Sequence, residues 1–220
     1  MGSELFAAIK DGDRGAVDRL IDADRAVVDS RDEAGLSPLL AALYRGRSEI
    51  AAAILARGPR LTIFEASAAG VLDRVRALVD SDPALANASA PDGYSPLGLA
   101  AFFKHREVVR YLLTRGADPR APSRDQGFTP LHSAVATDAG SRDIEIVRLL
   151  LTAGADPNAK SRQGGGTPLH TAAFTGDRAF VELLLAHGAD PRAKTSGGKR
   201  PADLATERGH TAVAGLLEKR

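Results

Sequence analysis

Apolar residues along this chain fall into a short pattern that returns seven times. Its second half has the form V-x-x-L-L: Val109, Leu112 and Leu113; Val147, Leu150 and Leu151; Val181, Leu184 and Leu185. Positions i, i+3 and i+4 share one side of an α-helix, so each run predicts a helix that buries a single stripe. The first half is shorter and opens with Ser or Thr before Pro, as in SPLL at 37–40, SPLG at 95–98, and TPLH at 129–132 and 167–170. The hydroxyl there caps a helix, and Pro suits the first helical position, where no backbone N–H is needed. Fainter starts are SELF at 3–6, LTIF at 61–64 and RPAD at 200–203. The starts at 3, 37, 61, 95, 129, 167 and 200 lie 34, 24, 34, 34, 38 and 33 residues apart. A period of this size marks stacked supersecondary units.

Small residues follow each start, as in Ala41 and Ala42, Ala100 and Ala101, or Ala172 and Ala173, and they allow the short helix to pack closely on its neighbours. After the last Leu, four units reach a glycine (Gly58, Gly116, Gly154 and Gly188), three of them within GADP, a helix stop followed by a turn. No such unit can bury its apolar face alone, so the units must stack. The TPLHxAA start, the V-x-x-L-L helix and GADPNA at 154–159 together resemble ankyrin repeats, across essentially the whole chain. The resemblance implies an all-α repeat solenoid of helix-turn-helix units with β-hairpin fingers and an L-shaped cross-section. It implies one domain over 1–220, with an N-terminal cap at 1–35, a C-terminal cap at 198–220 and no further domain needed.

Departures from the pattern carry their own expectations. The 24-residue spacing lacks about ten residues, the size of one finger, and only Arg57-Gly58-Pro59-Arg60 links the units, so a gap is expected in the concave wall. The weakest neighbour interface should lie there, between the second and third units. The 38-residue spacing carries extra residues between the two helices of its unit, and the links DADRAVVDSRDEAG and DSDPALANASAPDG share a D-x-D form. Residues 1–35 hold 5 basic and 9 acidic residues (5 − 9 = −4), whereas 192–220 hold 7 and 3 (7 − 3 = +4). Head-to-tail contact is therefore conceivable, with a monomer the expected state.

Composition excludes several function classes. The formal charge is 29 − 28 = +1, so no global field draws the protein to nucleic acid or membrane. Cysteine is absent, which removes disulfides, thiolate zinc sites and cysteine nucleophiles. No apolar stretch approaches the ~20 residues of a membrane helix, and two carboxylates interrupt the N-terminus before any signal-like run. A cytoplasmic location is expected. His132 and His170 sit in TPLH, where the imidazole can bond the Thr hydroxyl and the neighbouring backbone. No HExxH, phosphate loop or nucleophile elbow occurs. Neither a metal, a cofactor nor catalysis is expected.

In ankyrin repeats, finger tips and the two positions after the alanines face the concave groove. Counted from each start, the resemblance places Tyr44, Arg45, Asp92, Tyr94, Phe102, Phe103, Gln126, Phe128 and Phe174 there. Six of the chain's ten aromatic residues fall on these positions. Aromatic and Arg side chains anchor protein interfaces. Phe6 and Phe64, at the histidine position, should be buried, and Phe180 and Tyr111 should pack between repeats. The expected function is a non-catalytic module that binds a partner protein in the groove, with Tyr94, Phe102, Phe103 and Phe128 at its centre. Nucleic-acid binding through stackable aromatics and the basic C-terminal segment is the alternative, as is an orphan or engineered scaffold.

Overall fold

The computed structural model describes residues 2–136 and 142–219. Helices follow in pairs: α1 (Gly2–Asp11) with α2 (Arg14–Ala23), α3 (Pro38–Tyr44) with α4 (Ser48–Ala56), and α5 (Ile63–Ala68) with α6 (Leu72–Ser81). They continue as α7 (Pro96–Phe102) with α8 (Arg106–Thr114), α9 (Pro130–Val135) with α10 (Ile144–Thr152), α11 (Pro168–Thr175) with α12 (Arg178–Ala186), and α13 (Pro201–Glu207) with α14 (Thr211–Glu218). First helices pack on first helices along the array, and second helices on second helices. Leu112, Leu150 and Leu184, from the V-x-x-L-L runs, are fully buried between pairs, as is Phe180. Tyr111 is half-buried, its hydroxyl donating to Asp80 of the preceding pair at 2.9 Å. The extra residues of the fifth unit lie largely outside the described residues.

The hydroxyl caps form as the motif predicts. Ser37 accepts from the Leu40 amide at 3.2 Å and Ser95 from that of Gly98 at 3.0 Å. In the third pair the cap is Thr62, one residue beyond the start at 61, and its backbone N–H donates to Glu65 at 3.0 Å. Glu65 thus completes the capping box that histidine completes in TPLH. Phe64 and Phe6 are half-buried, not buried as expected. Phe6 packs against the apolar cluster of the first two pairs, and Phe64 against Leu40, Ala68 and Leu99 where a finger is lacking.

The links between pairs project as tight turns rather than β-hairpins, and no strand occurs among the described residues. A backbone bond closes each of five: Asp32 N to Leu36 O at 3.0 Å, Ala90 N to Tyr94 O at 2.9 Å, Ser123 N to Phe128 O and Ser161 N to Gly166 O at 2.8 Å, and Thr195 N to Lys199 O at 2.9 Å. In four of them a glycine N–H (Gly35, Gly93, Gly127 or Gly198) donates back to the first residue of the turn. These bonds all lie within the turn and do not extend into a ladder. The turns are instead tied sideways, Arg124 N to Gly93 O at 3.1 Å, Arg162 N to Gln126 O at 2.8 Å and Ser196 N to Gly164 O at 2.9 Å. Gly93 and Gly127 permit this approach. Both have positive φ (83° and 69°), and a β-carbon on either would stand 2.7 Å from Arg124 or Arg162 of the next turn.

The shared D-x-D links have a common cause. Asp24 and Asp82 each cap a short 3-10 helix (Arg25–Asp29 and Pro83–Asn87), accepting the amide of Ala26 or Ala84. Asn87 then holds the next link, donating to Gly116 O and accepting from Asp118 N, and Asn158 does the same for Gly188 and Asp190.

The shortened link divides the core. One apolar cluster covers α1 to α4 and another runs from α5 to α14, with a small third cluster around Leu40, Ala68 and Leu99 joining them. Of adjacent second helices, α4 and α6 touch least. The expected gap in the wall is nevertheless closed. Finger turns on either side meet, since a β-carbon at Gly35 would lie 3.6 Å from Pro91. Beside this join, the rings of Tyr44, Phe102 and Phe103 line a hollow of about 300 Å³.

Lys104 adds a different tie. It takes φ 64° where other units place Gly46, Gly70, Gly176 and Gly209, a conformation L-residues avoid. Its ammonium donates to the carbonyls of Ser133 (3.2 Å), Ala134 (2.8 Å) and Ala136 (3.1 Å), sealing the C-terminus of α9. Those charge-assisted bonds offset the backbone strain.

Candidate functional site

The predicted groove residues divide into two groups. Tyr44, at the end of α3, is half-buried and donates its hydroxyl to Asp92 at 2.6 Å. Burial raises the Tyr44 hydroxyl pKa far above its ordinary value, and the Asp92 carboxylate adds to the shift, so the hydroxyl stays protonated and remains the donor. Asp92 also accepts the Tyr94 amide at 3.3 Å. Burial, then Asp92, raises the half-buried Tyr94 as well. The Tyr44 ring lies 5.6 Å from Phe103 and 6.4 Å from Phe102, and those two rings meet edge-to-face at 5.0 Å. Tyr44, Tyr94 and Phe103 all belong to the small cluster joining the two halves of the core. Phe103, Tyr44 and Asp92 therefore close the wall, the two rings largely committed to packing and the carboxylate to the Tyr44 hydroxyl. Arg45 is exposed, its guanidinium folded back onto the Ala41 carbonyl at 3.2 Å.

The second group faces solvent. Phe102 at the end of α7 is 40% exposed and Phe174 on α11 is 45% exposed; both are large apolar side chains left open. Between them lies the half-buried Phe128, whose ring is 5.5 Å from that of His132. A hollow of about 100 Å³ opens among Tyr94, Phe102, Phe128 and Thr171. A second, of about 320 Å³, opens among Phe128, Gln163, Thr171, Phe174 and Leu204. Gln126 is exposed at its turn and serves the neighbouring turn through its carbonyl.

Arg208 was not among the predicted residues, yet its guanidinium lies 4.4 Å over the Phe174 ring. The register would have found it: counted from 200, Arg208 holds the position of Arg45 and Phe103 in their units.

The histidines are structural pieces of this floor. His132 Nδ1 takes the Thr129 amide (3.2 Å) and hydroxyl (2.9 Å), which leaves Nε2–H to donate to Gly166 O at 3.1 Å. His170 repeats the set with Thr167 and the Lys199 carbonyl. Burial lowers both pKa values below the ordinary histidine value, so the neutral ring with its proton on Nε2 fits the bonding. His105 and His210 reach back from the starts of α8 and α14 to the carbonyls of Ala68 (2.9 Å) and Phe174 (3.1 Å). Among the described residues, no group of three or more His, Asp or Glu is placed to hold a metal ion. No described helix is long and apolar enough to cross a membrane.

Comparison with known proteins agrees with this architecture. The family model described as ankyrin repeats (3 copies) matches residues 63–161 and 136–220. The matches begin at α5, so the two pairs on the far side of the divided core lie outside them. The human neurogenic locus notch homolog protein 4 is 32% identical over 112 residues, which are 51% of this chain and 5% of that protein. The aligned region is thus a small part of that relative. Paired helices, hydroxyl caps, Thr-His boxes and a family model that spans most of the chain lead to one conclusion: this chain belongs to the ankyrin-repeat family.

Proposed function

We propose that this chain is a non-catalytic, cytoplasmic binding module that holds a partner protein against the face built from its finger turns and first helices. In this reading the turns and the first helices form the two walls of an L. Ankyrin repeats generally mediate protein–protein interaction, which supports the class of function. The observation that carries the site is the exposure of Phe102 and Phe174, with apolar hollows beside them, in a chain that otherwise packs its aromatic rings. Exposed apolar groups flanked by polar residues mark interaction surfaces. Phe102, Phe128 and Phe174 act as anchors, Gln126 supplies hydrogen bonds, and Tyr44, Tyr94, Phe103 and Asp92 hold the wall in shape with Arg45 at its edge. The test compares wild type with Phe102→Ser/Phe174→Ser in quantitative pull-downs, after circular dichroism shows equal helix content. A protein retained by wild type and lost by the variant supports the reading. Equal recovery by both places binding elsewhere and refutes it.

A further inference from the structure

Charge along the finger turns is graded. The first turn carries Asp32 and Glu33, the second Asp92, the third Arg124 with Asp125, the fourth Arg162 and the fifth Lys199. Their net charges are −2, −1, 0, +1 and +1. The basic turns stand beside the larger hollow, which Gln163, Gly164 and Thr195 of the last two turns help to line. Phe174 lines the same hollow, and Arg208 covers its exposed ring. Lys199 already pairs with Glu207 at 2.8 Å. Arg124, Arg162 and Arg208, by contrast, have no carboxylate partner among the described residues. A guanidinium laid on an aromatic face keeps its N–H edge open for a carboxylate and loses little freedom when it binds one.

Building on the groove reading above, we infer that the partner presents a short acidic segment, which seats one bulky apolar side chain in the hollow between Phe128 and Phe174 and sets carboxylates against Arg162 and Arg208. The charge grade also fixes direction, with the acid-rich end of the segment toward the last pair. A nucleic acid fits the same surface less well. Its backbone would run on from the basic turns to Asp92, Glu33 and Asp32, where successive phosphates meet like charge.

The probe is a random dodecapeptide library displayed on phage and panned on the full chain, followed by fluorescence anisotropy with the enriched peptides. The expected winners carry net negative charge and a Leu, Ile, Met or aromatic residue. Their affinity falls about tenfold in Arg208→Gln and further in Arg162→Gln/Arg208→Gln, and it weakens as salt rises. Both arginines are exposed, and a thermal melt shows whether the variants keep the fold. Enriched neutral or basic peptides that are lost on Phe174→Ser overturn the acidic chemistry but leave the groove reading intact. Peptides that survive both the Arg and the Phe changes overturn both. An empty selection sinks the inference, as does tighter binding of a labelled oligo-dT or oligo-U than of any peptide, or a concentration-dependent dimer that buries Phe174.

Discussion

Removal of a single hydroxyl, Tyr44→Phe, tests how the divided core is held together. The phenol donates to Asp92 at 2.6 Å, and the ring itself packs 5.6 Å from Phe103. The substitution keeps the ring and deletes only the bond between the second pair and the turn before the fourth. A hydrogen bond to a charged acceptor contributes about 1.5–3 kcal/mol, and water can reach the half-exposed Asp92, so the lower end of that range, about 1.5 kcal/mol, applies. Because the apolar cluster of α1 to α4 is separate from that of α5 to α14, the loss falls on the coupling between the two blocks. Hydrogen exchange read by mass spectrometry, alongside urea unfolding at pH 7, measures this directly. Amides of α1 to α4 should lose about tenfold in protection, the equivalent of ~1.4 kcal/mol, while those of α8 to α12 keep theirs. A change below about 0.3 kcal/mol, or an equal loss in both blocks, would show that the clasp does not bridge a weak joint.

Two further outcomes follow from the core and the histidines. Leu112, fully buried between pairs, should cost roughly 2–5 kcal/mol when changed to Ala, and a loss below about 1 kcal/mol in denaturant titration would mean the packing around it is misassigned. Burial lowers the folded pKa of His105, His132 and His170. The unfolded chain therefore takes up protons first, and the stability these rings contribute is complete above about pH 6.5 and is lost as pH falls from there through the folded values. Urea midpoints should drop between pH 7 and pH 5, and the drop should shrink in His132→Gln; an unchanged slope in that variant would assign the effect to other groups.

The chain's legibility varied with the kind of interaction. Local rules were readable: Ser37, Ser95 and Thr129 cap where a hydroxyl precedes Pro, and Leu112, Leu150 and Leu184 are buried at the spacing that the helix dictates. The box histidines were readable too, because Thr and His three residues apart must meet within one helical turn. The aromatics were not. Phe102 and Phe103 are adjacent in sequence and equivalent in composition, yet one ring faces water and the other packs beside Tyr44 in the small joining cluster. Arg208 was missed because its partner Phe174 lies one unit away, and only the stacking of units brings guanidinium and ring to 4.4 Å.

By itself the sequence determined the period, the helix pairs, the caps and the place where the array is interrupted, since each depends on residues a few positions apart. The tertiary structure decided what the interruption becomes. The ten or so residues absent before α5 let two turns that are not neighbours in sequence meet at Gly35 and Pro91, with Tyr44 clasped to Asp92 across the join. It also decided which rings remain open, because exposure depends on which neighbouring unit covers each side chain, and a linear pattern of apolar residues carries no record of that distance.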